Sequence, residues 1–444
     1  MKLKWILAAA SMLGAPAAAA DFSDAVKADY DKHLGELFVD FHRNPELSFK
    51  ENRTAKIMAR ELKAAGAQVT EGVGGTGVVG VMRNGEGPVV LLRADMDGLP
   101  VEEKNGLPYA SKARQVGVDG VEAPVMHACG HDVHITAMAG TARRLAAMKD
   151  RWKGTVVFVV QPAEERVGGA KAMIADGLYT RFPKPNYAVG FHVNAGMATG
   201  TVSGADQLMY SSADSVDITV NGVGAHGAAP HTGKDPVYIG AQIVTALQSI
   251  TSREIGPLSP AVITVGAFHA GTKHNIISDR ADLQVTVRAN DEATRKQLLT
   301  AIDRMAKGIA RANGVAEDKL PIVKVSEGTP TTNNTPALAR RVRAAFEREL
   351  APGTVVPFNQ ESMGAEDFTY FVQPEHNVQG FYFSVGGTPK AALDAARTGG
   401  PPVASHHSAL FKIDPEPSVR VGTEAMTVAV LDLLKPGASV AAGN

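Results

Sequence analysis

Pro88-Val89-Val90-Leu91-Leu92-Arg93-Ala94-Asp95-Met96-Asp97 is a short apolar run that passes directly into charged residues. It reads as a buried strand with Asp95 and Asp97 at its carboxyl end, where α/β sheets gather functional groups. The pattern recurs. Residues 153–160, wholly apolar from Val156 onward, lead into Gln161-Pro162-Ala163-Glu164-Glu165, and residues 187–191 lead into His192-Val193. A single aspartate at such a place is as often a turn or helix cap. Adjacent glutamates usually make a solvated surface. Three polar sets in a row at strand ends argue for convergence on one site. Helices are expected over residues 22–43, 51–65 and 133–149, where apolar residues recur at helical spacing.

Between the first two strands lies Met126-His127-Ala128-Cys129-Gly130-His131-Asp132-Val133-His134, with one thiol, three imidazoles and a carboxylate in nine residues. Cys129 is the only cysteine, so no intramolecular disulfide forms. A lone cysteine is usually a buried apolar residue, but these neighbours reverse that expectation. If the backbone is extended, Cys129 and His131 point the same way, and thiolate and imidazole suit zinc and its first-row neighbours.

The 444 residues exceed one ordinary core, so two domains are expected. Composition is that of a globular protein, with a formal charge of −1 and no basic run to suggest nucleic acid. Residues 1–20 carry Lys2 and Lys4, an apolar run from Trp5 to Leu13, and small residues up to Ala20. That is the pattern of a signal peptide cleaved after Ala20, and it implies export to a bacterial periplasm. The apolar run is too short for a membrane anchor, and no later segment is long and apolar enough to cross a membrane.

Near residue 210 the pattern changes. Residues 215–221 alternate, with Val216, Ile218 and Val220 on one face. There follow a glycine-rich loop, a helix over 236–252, strands over 261–268 and 281–288, a helix over 291–312 and a strand over 322–325. This β-α-β-β-α-β order is that of a ferredoxin-like unit inserted at 211–326, within an α/β domain formed by 21–210 and 327–436. A helix over 337–350, a strand over 380–386 and a helix over 417–434 complete the α/β part. Residues 204–212, 359–371 and 388–402 are expected to shape a pocket.

Cys129, His131, Glu165, His192 and a histidine at 406 or 407 could together hold two divalent ions, which lower the pKa of water and clamp both oxygens of a hydrolytic transition state. Glu164 would be the general base, and Asp95 would orient a ligand histidine. No Gly-x-Ser-x-Gly elbow is present, which argues against a serine hydrolase.

Arg93-Ala94-Asp95-Met96-Asp97-Gly98-Leu99-Pro100, the Cys129-Gly130-His131-Asp132 stretch, Gln161-Pro162-Ala163-Glu164-Glu165, Gly224-Ala225-His226-Gly227-Ala228-Ala229-Pro230-His231 and Ser362-Met363-Gly364-Ala365-Glu366-Asp367-Phe368 together resemble the M20 metallopeptidase family. Within it they are similar to the branch of hippurate hydrolases, N-acyl-amino-acid amidohydrolases and auxin-conjugate hydrolases. The resemblance implies Cys129, His131, Glu165, His192 and His407 as ligands of two divalent ions (zinc, manganese, cobalt or nickel). It implies Glu164 as acid/base and Asp95 as its supporting aspartate. His226 would stabilise the oxyanion, often in a partner subunit's site, and Asn275 and Arg288 would hold substrate. At the last ligand, His407-Ser408-Ala409-Leu410-Phe411 departs from the family pattern with Ala409 in the proline position. The expected substrate is a small N-acyl amino acid or peptide conjugate. The expected assembly is a homodimer or higher homo-oligomer through the inserted lid. The alternative is a dipeptidase, carboxypeptidase or N-acetyl-diaminopimelate deacylase.

Overall fold

The structure is a computed structural model and describes residues 15–437. The expected leader lies outside these residues except for Ala15 to Ala20, which begin the helix Ala15–Asp29. The central sheet has seven strands in the order Gln68–Val73, Gly77–Asn84, Gly154–Gln161, Val89–Asp95, Tyr187–Ala198, Gln379–Thr388 and Val202–Ser203. Val89–Asp95 lies in the middle, parallel to both neighbours. Successive side chains of a strand point to opposite faces, and both faces are covered here. Val90, Leu92 and Ala94 join a core with Phe41, Met58, Met138 and Phe346. Leu91 points the other way, towards Met173, Phe368 and Phe371. The larger core lies under the helices Asn52–Ala64, His131–Ala147, Pro336–Glu349 and Pro415–Leu433. Each fully buried large apolar side chain contributes roughly 1.5–3 kcal/mol, so the middle strand is firmly seated.

A second sheet runs Ala261–Ala270, Arg280–Ala289, Ser212–Asn221, Ile322–Thr329, with every pair antiparallel. Val216, Ile218 and Val220 face the helices Pro236–Ser249 and Glu292–Ala312 and share a separate core with Ile243, Leu283 and Ile302. Both helices begin at aspartates, Asp235 and Asp291, whose side chains accept backbone N–H bonds of the first turn. The chain enters and leaves through paired strands, Ala213 lying opposite Thr329.

Two local expectations are corrected, and one element was not anticipated. The strand expected to stop at His192 continues to Ala198, because Gln379–Thr388 pairs with it along that whole length. On its other side the pairing with Val89–Asp95 ends at Arg93 opposite Gly190, so His192 stands beyond the last paired residues and lines a cleft. Residues 388–402, expected to shape the pocket, hold the helix Lys390–Arg397 and contribute no cleft-lining residue. The hairpin Arg114–Val116 with Glu122–Pro124 had no alternating pattern to announce it.

Candidate metal centre

Four segments meet at a cleft of about 800 Å³. Cys129 and His131 do converge, but not on the extended backbone that their spacing suggested. Gly130 is left-handed at φ 82°, and a Cβ there would lie 2.4 Å from Val193 Cγ1. The glycine turns the chain into the helix His131–Ala147 and leaves both side chains on one side of the bend. Glu164 and Glu165 sit on a single 3₁₀ turn between Ala163 (φ 48°) and Val167 (φ 51°). Left-handed backbone at residues with a Cβ costs about 1–3 kcal/mol each and persists only where the surroundings hold it. Buried carboxylates do so here. Glu51 accepts from Ala163 N at 2.9 Å, and the two oxygens of Asp97 accept from Glu164 N and Glu165 N, each at 3.1 Å. The fourth segment brings His407, also left-handed at φ 65°, with its N–H bonded to Ala128 O.

Cys129 Sγ lies 3.4 Å from His192 Nε2, 3.4 Å from His407 Nε2 and 3.7 Å from His406 Nδ1. Among the described residues five donor groups have ligand atoms close enough to share an ion; two of them, Cys129–His131–His192 and Cys129–Glu165–His407, have Cys129 in common, and two others, His131–Glu164–Glu165 and Glu164–Glu366–Asp367, contain Glu164. The histidine tautomers follow from hydrogen bonding. His131 Nδ1 donates to Asp97 O at 2.9 Å, and His192 Nδ1 donates to Val193 O at 2.7 Å. In the neutral form of each ring Nε2 is then the unprotonated nitrogen and faces the cluster; without a cation, Asp95 and Asp97 outweigh burial and raise the His131 pKa to about 10. The remaining grouping, Asp95–His131–His134, is not available as a ligand set. His134 spends both nitrogens elsewhere, on Asp95 Oδ1 at 2.5 Å and on the Val193 N–H at 2.9 Å.

The donors fit divalent cations. His131 Nε2 and Glu165 Oε1 are buried without a hydrogen-bond partner, and such orphans are costly unless something else satisfies them. Asp95 Oδ2 also lacks a well-angled hydrogen bond, although it lies 2.7 Å from Arg93 Nη1, where the charge contact outweighs the poor angle. Burial, then the neighbouring carboxylates Glu366 and Glu165, push Glu164 well above the usual carboxylate range. Burial raises Glu165 to about 7 despite the opposing pull of His131. Burial and the adjacent Glu165 likewise push the Cys129 thiol up. Bound cations would reverse the tendency at Glu165 and Cys129, because ligation favours the deprotonated donors.

The structure places the remaining expected residues unevenly. Asp95 lies 3.4 Å from His131 Nε2 and bonds His134. Arg288 lines the cleft, and its one side-chain hydrogen bond among the described residues runs from Nε to Thr286 Oγ1. His226 and Asn275 lie outside the cleft. Both are exposed, His226 on the two-stranded ribbon Ala225–His226 with Ile276–Ile277 and Asn275 in the turn just before it.

Shared soft and hard donors beside a carboxylate free to move protons suit hydrolysis, and the class is that of metal-dependent amide hydrolases. Residues 91–396 match the family model for peptidase family M20/M25/M40. The chain is 41% identical to the hippurate hydrolase of Campylobacter jejuni, over 75% of this chain and 83% of that one. It is 38% identical to thermostable carboxypeptidase 2 of Saccharolobus solfataricus, over 78% and 83%. Among solved structures, the Bacillus subtilis YXEP protein, described as a dinuclear metal binding peptidase from the M20 family, superposes with a TM-score of 0.73 at 27% identity, covering 93% of this chain and 99% of that one. The chain belongs to peptidase family M20/M25/M40 and is a metal-dependent amidohydrolase.

Sequence reading missed several residues that build the centre. Asp97, Glu366 and Asp367 lay inside motifs already singled out, and a carboxylate following a buried arginine was signal enough to look for a partner. Glu51 follows a helix-ending proline segment and carried no signal of this role, since beyond the local bond from Phe49 N its side-chain partners, Thr76 and Ala163, are 25 and 112 residues away.

Proposed function

We propose that the protein is an exported amidohydrolase that cleaves N-acyl amino acids of the hippurate type to a carboxylic acid and a free amino acid. The observation that carries this reading is the sharing of Cys129 by two donor triads beside Glu164. Cys129, His131, Glu165, His192 and His407 would hold two divalent ions, with Cys129 common to both. Such ions polarise an amide carbonyl and ease deprotonation of water. Glu164 then accepts the proton of the attacking water on a carboxylate oxygen and delivers it to the leaving nitrogen as the C–N bond breaks. The raised proton affinity of Glu164 suits a group that must both take and give a proton. The Arg288 guanidinium lines the cleft without a carboxylate partner within salt-bridge distance among the described residues and would bind the carboxylate of the amino-acid half. Asn275 would share that task.

The ferredoxin-like insert, residues 211–326, would act as lid and dimerisation unit. His226 Nδ1 accepts from Ala228 N at 3.0 Å, so its proton sits on Nε2, as an oxyanion donor requires. Exposed and outside its own chain's cleft, it would serve the site of a second copy. Export rests on the leader-like residues 1–20.

The test is a panel of hippurate, acetyl-amino acids, indole conjugates and dipeptides, assayed before and after chelation and metal add-back. Chelation-sensitive release of amino acid from acyl conjugates supports the reading. Turnover confined to peptides would favour the carboxypeptidase alternative, which the similarity to the Saccharolobus enzyme keeps in view. A folded, metal-loaded protein inert on every member would overturn both.

A further inference from the structure

Two adjacent imidazoles reach the Cys129 sulfur, and they do so differently. His407 approaches with Nε2, which also lies 3.5 Å from Glu165 Oε2 and so faces the shared donors. His406 approaches with Nδ1 at 3.7 Å. Its other nitrogen, Nε2, accepts a hydrogen bond from the Ala195 N–H at 3.2 Å. A ring nitrogen that accepts carries no proton, so the proton of His406 resides on Nδ1, the nitrogen facing the sulfur. That nitrogen has no lone pair to offer a cation. The ring is also held in place, edge-on to His192 with centroids 5.3 Å apart and against Phe411 at 4.8 Å.

We infer that His406 is a positioning residue and not a metal ligand: its Nδ1–H donates a hydrogen bond to the Cys129 thiolate. This rests on the reading of Cys129 as the donor common to both ions. The bond draws electron density from the sulfur, which weakens its donation and leaves the cations stronger Lewis acids. It also fixes the sulfur's direction while the ions exchange. The Ala195 N–H belongs to the strand Tyr187–Ala198 that carries His192. One backbone strand thus sets both a ligand and the tautomer of the ring that tunes the thiolate.

The test loads the intact protein with Co²⁺ and records the near-ultraviolet thiolate-to-cobalt charge-transfer band together with bound cobalt per chain. Three variants are compared with the starting protein. His406→Phe removes the donor. His406→Asn places an amide nitrogen where Nδ1 was. His406→Gln places it where Nε2 was. A hydrogen bond to sulfur lowers the energy of its lone pairs and raises that of the band. His406→Phe and His406→Gln should therefore shift the band to lower energy at full cobalt content, and His406→Asn should return it. Should His406→Phe fail to fold, the Asn and Gln variants still decide. Equal band energies in those two, or loss of bound cobalt in His406→Asn, would overturn the inference. Absence of any such band in the starting protein would instead show that Cys129 is no thiolate donor, and would remove the metal centre proposed above along with it.

Discussion

Arg93 is a buried guanidinium among three carboxylates, 2.7 Å from Asp95, 2.6 Å from Glu366 and 3.2 Å from Asp367. Burial opposes its charge, but Asp95 and Glu366 hold it fully protonated. Removing one partner of a buried ion network strands the others, at roughly 3–5 kcal/mol. Arg93→Met should cost about that much in urea unfolding of the metal-free protein, and an unchanged midpoint would show the carboxylates to be neutral. Glu164 makes the opposite kind of prediction. Its backbone N–H is bonded to Asp97, but its carboxylate makes no hydrogen bond among the described residues and only approaches His131 Nε2, at 3.9 Å. Glu164→Gln should leave metal content and unfolding intact while lowering kcat by at least about 100-fold, the lower range for general acid–base catalysis. Undiminished turnover would transfer the role to another group.

At the scale of elements, the centre depends on how helices begin and how loops are tied. Gly130→Ala forces a Cβ into left-handed backbone, at about 1–2 kcal/mol, and into Val193 Cγ1 2.4 Å away. The expected result is reduced metal affinity, measured by competitive chelation, with far-ultraviolet circular dichroism retained. His42 ties three elements together. Its nitrogens lie 2.7 Å from Asp132 and 2.9 Å from Glu103. Asn105, bonded to Glu103, also bonds Phe411 O in the loop that carries His407. Burial alone would lower the His42 pKa, but hydrogen bonds to Asp132 and Glu103 outweigh it and raise it to about 9. The protonated ring is therefore favoured in the native state. Its stabilisation is fully present below the ordinary value near 6.5 and is lost as pH rises through about 9. Between those limits the unfolding free energy should fall with pH, and His42→Phe should flatten that slope. An equal slope in both proteins would assign it to other groups.

At the scale of the whole molecule, cations that bind only the native arrangement stabilise it by mass action. Chelation should lower the thermal midpoint, and metal add-back should restore it. The exposed position of His226 yields an assembly prediction. If the proposed second copy supplies it, mixing His226→Ala with Glu164→Gln protein through dissociation and reassociation should regain activity that neither has alone, since in a symmetric pair one site would then be intact. No recovery would return His226 to its own chain's cleft, by closure of the insert, or remove it from the reaction.

By itself the sequence determined what chemistry the chain could offer: buried strands that end in carboxylates and imidazoles, one thiol between histidines, and an alternating strand that opens a separate β-α-β-β-α-β run. These are local patterns, written in the period of apolar residues and in residue type. What needed the tertiary structure was everything set by contacts between distant segments. His192 stands open because the pairing on one side stops two residues before it, although its own strand continues. Cys129 and His131 converge through a left-handed glycine, not an extended backbone. Glu51 and Asp97 hold a strained turn that no local pattern revealed. His406 and His407, adjacent and identical in type, are told apart by the Ala195 N–H that occupies one nitrogen of His406 and by the Glu165 carboxylate that His407 faces. Sequence spacing names donors, but a ligand is defined by lone-pair direction, and that is fixed by backbone groups brought from elsewhere in the fold.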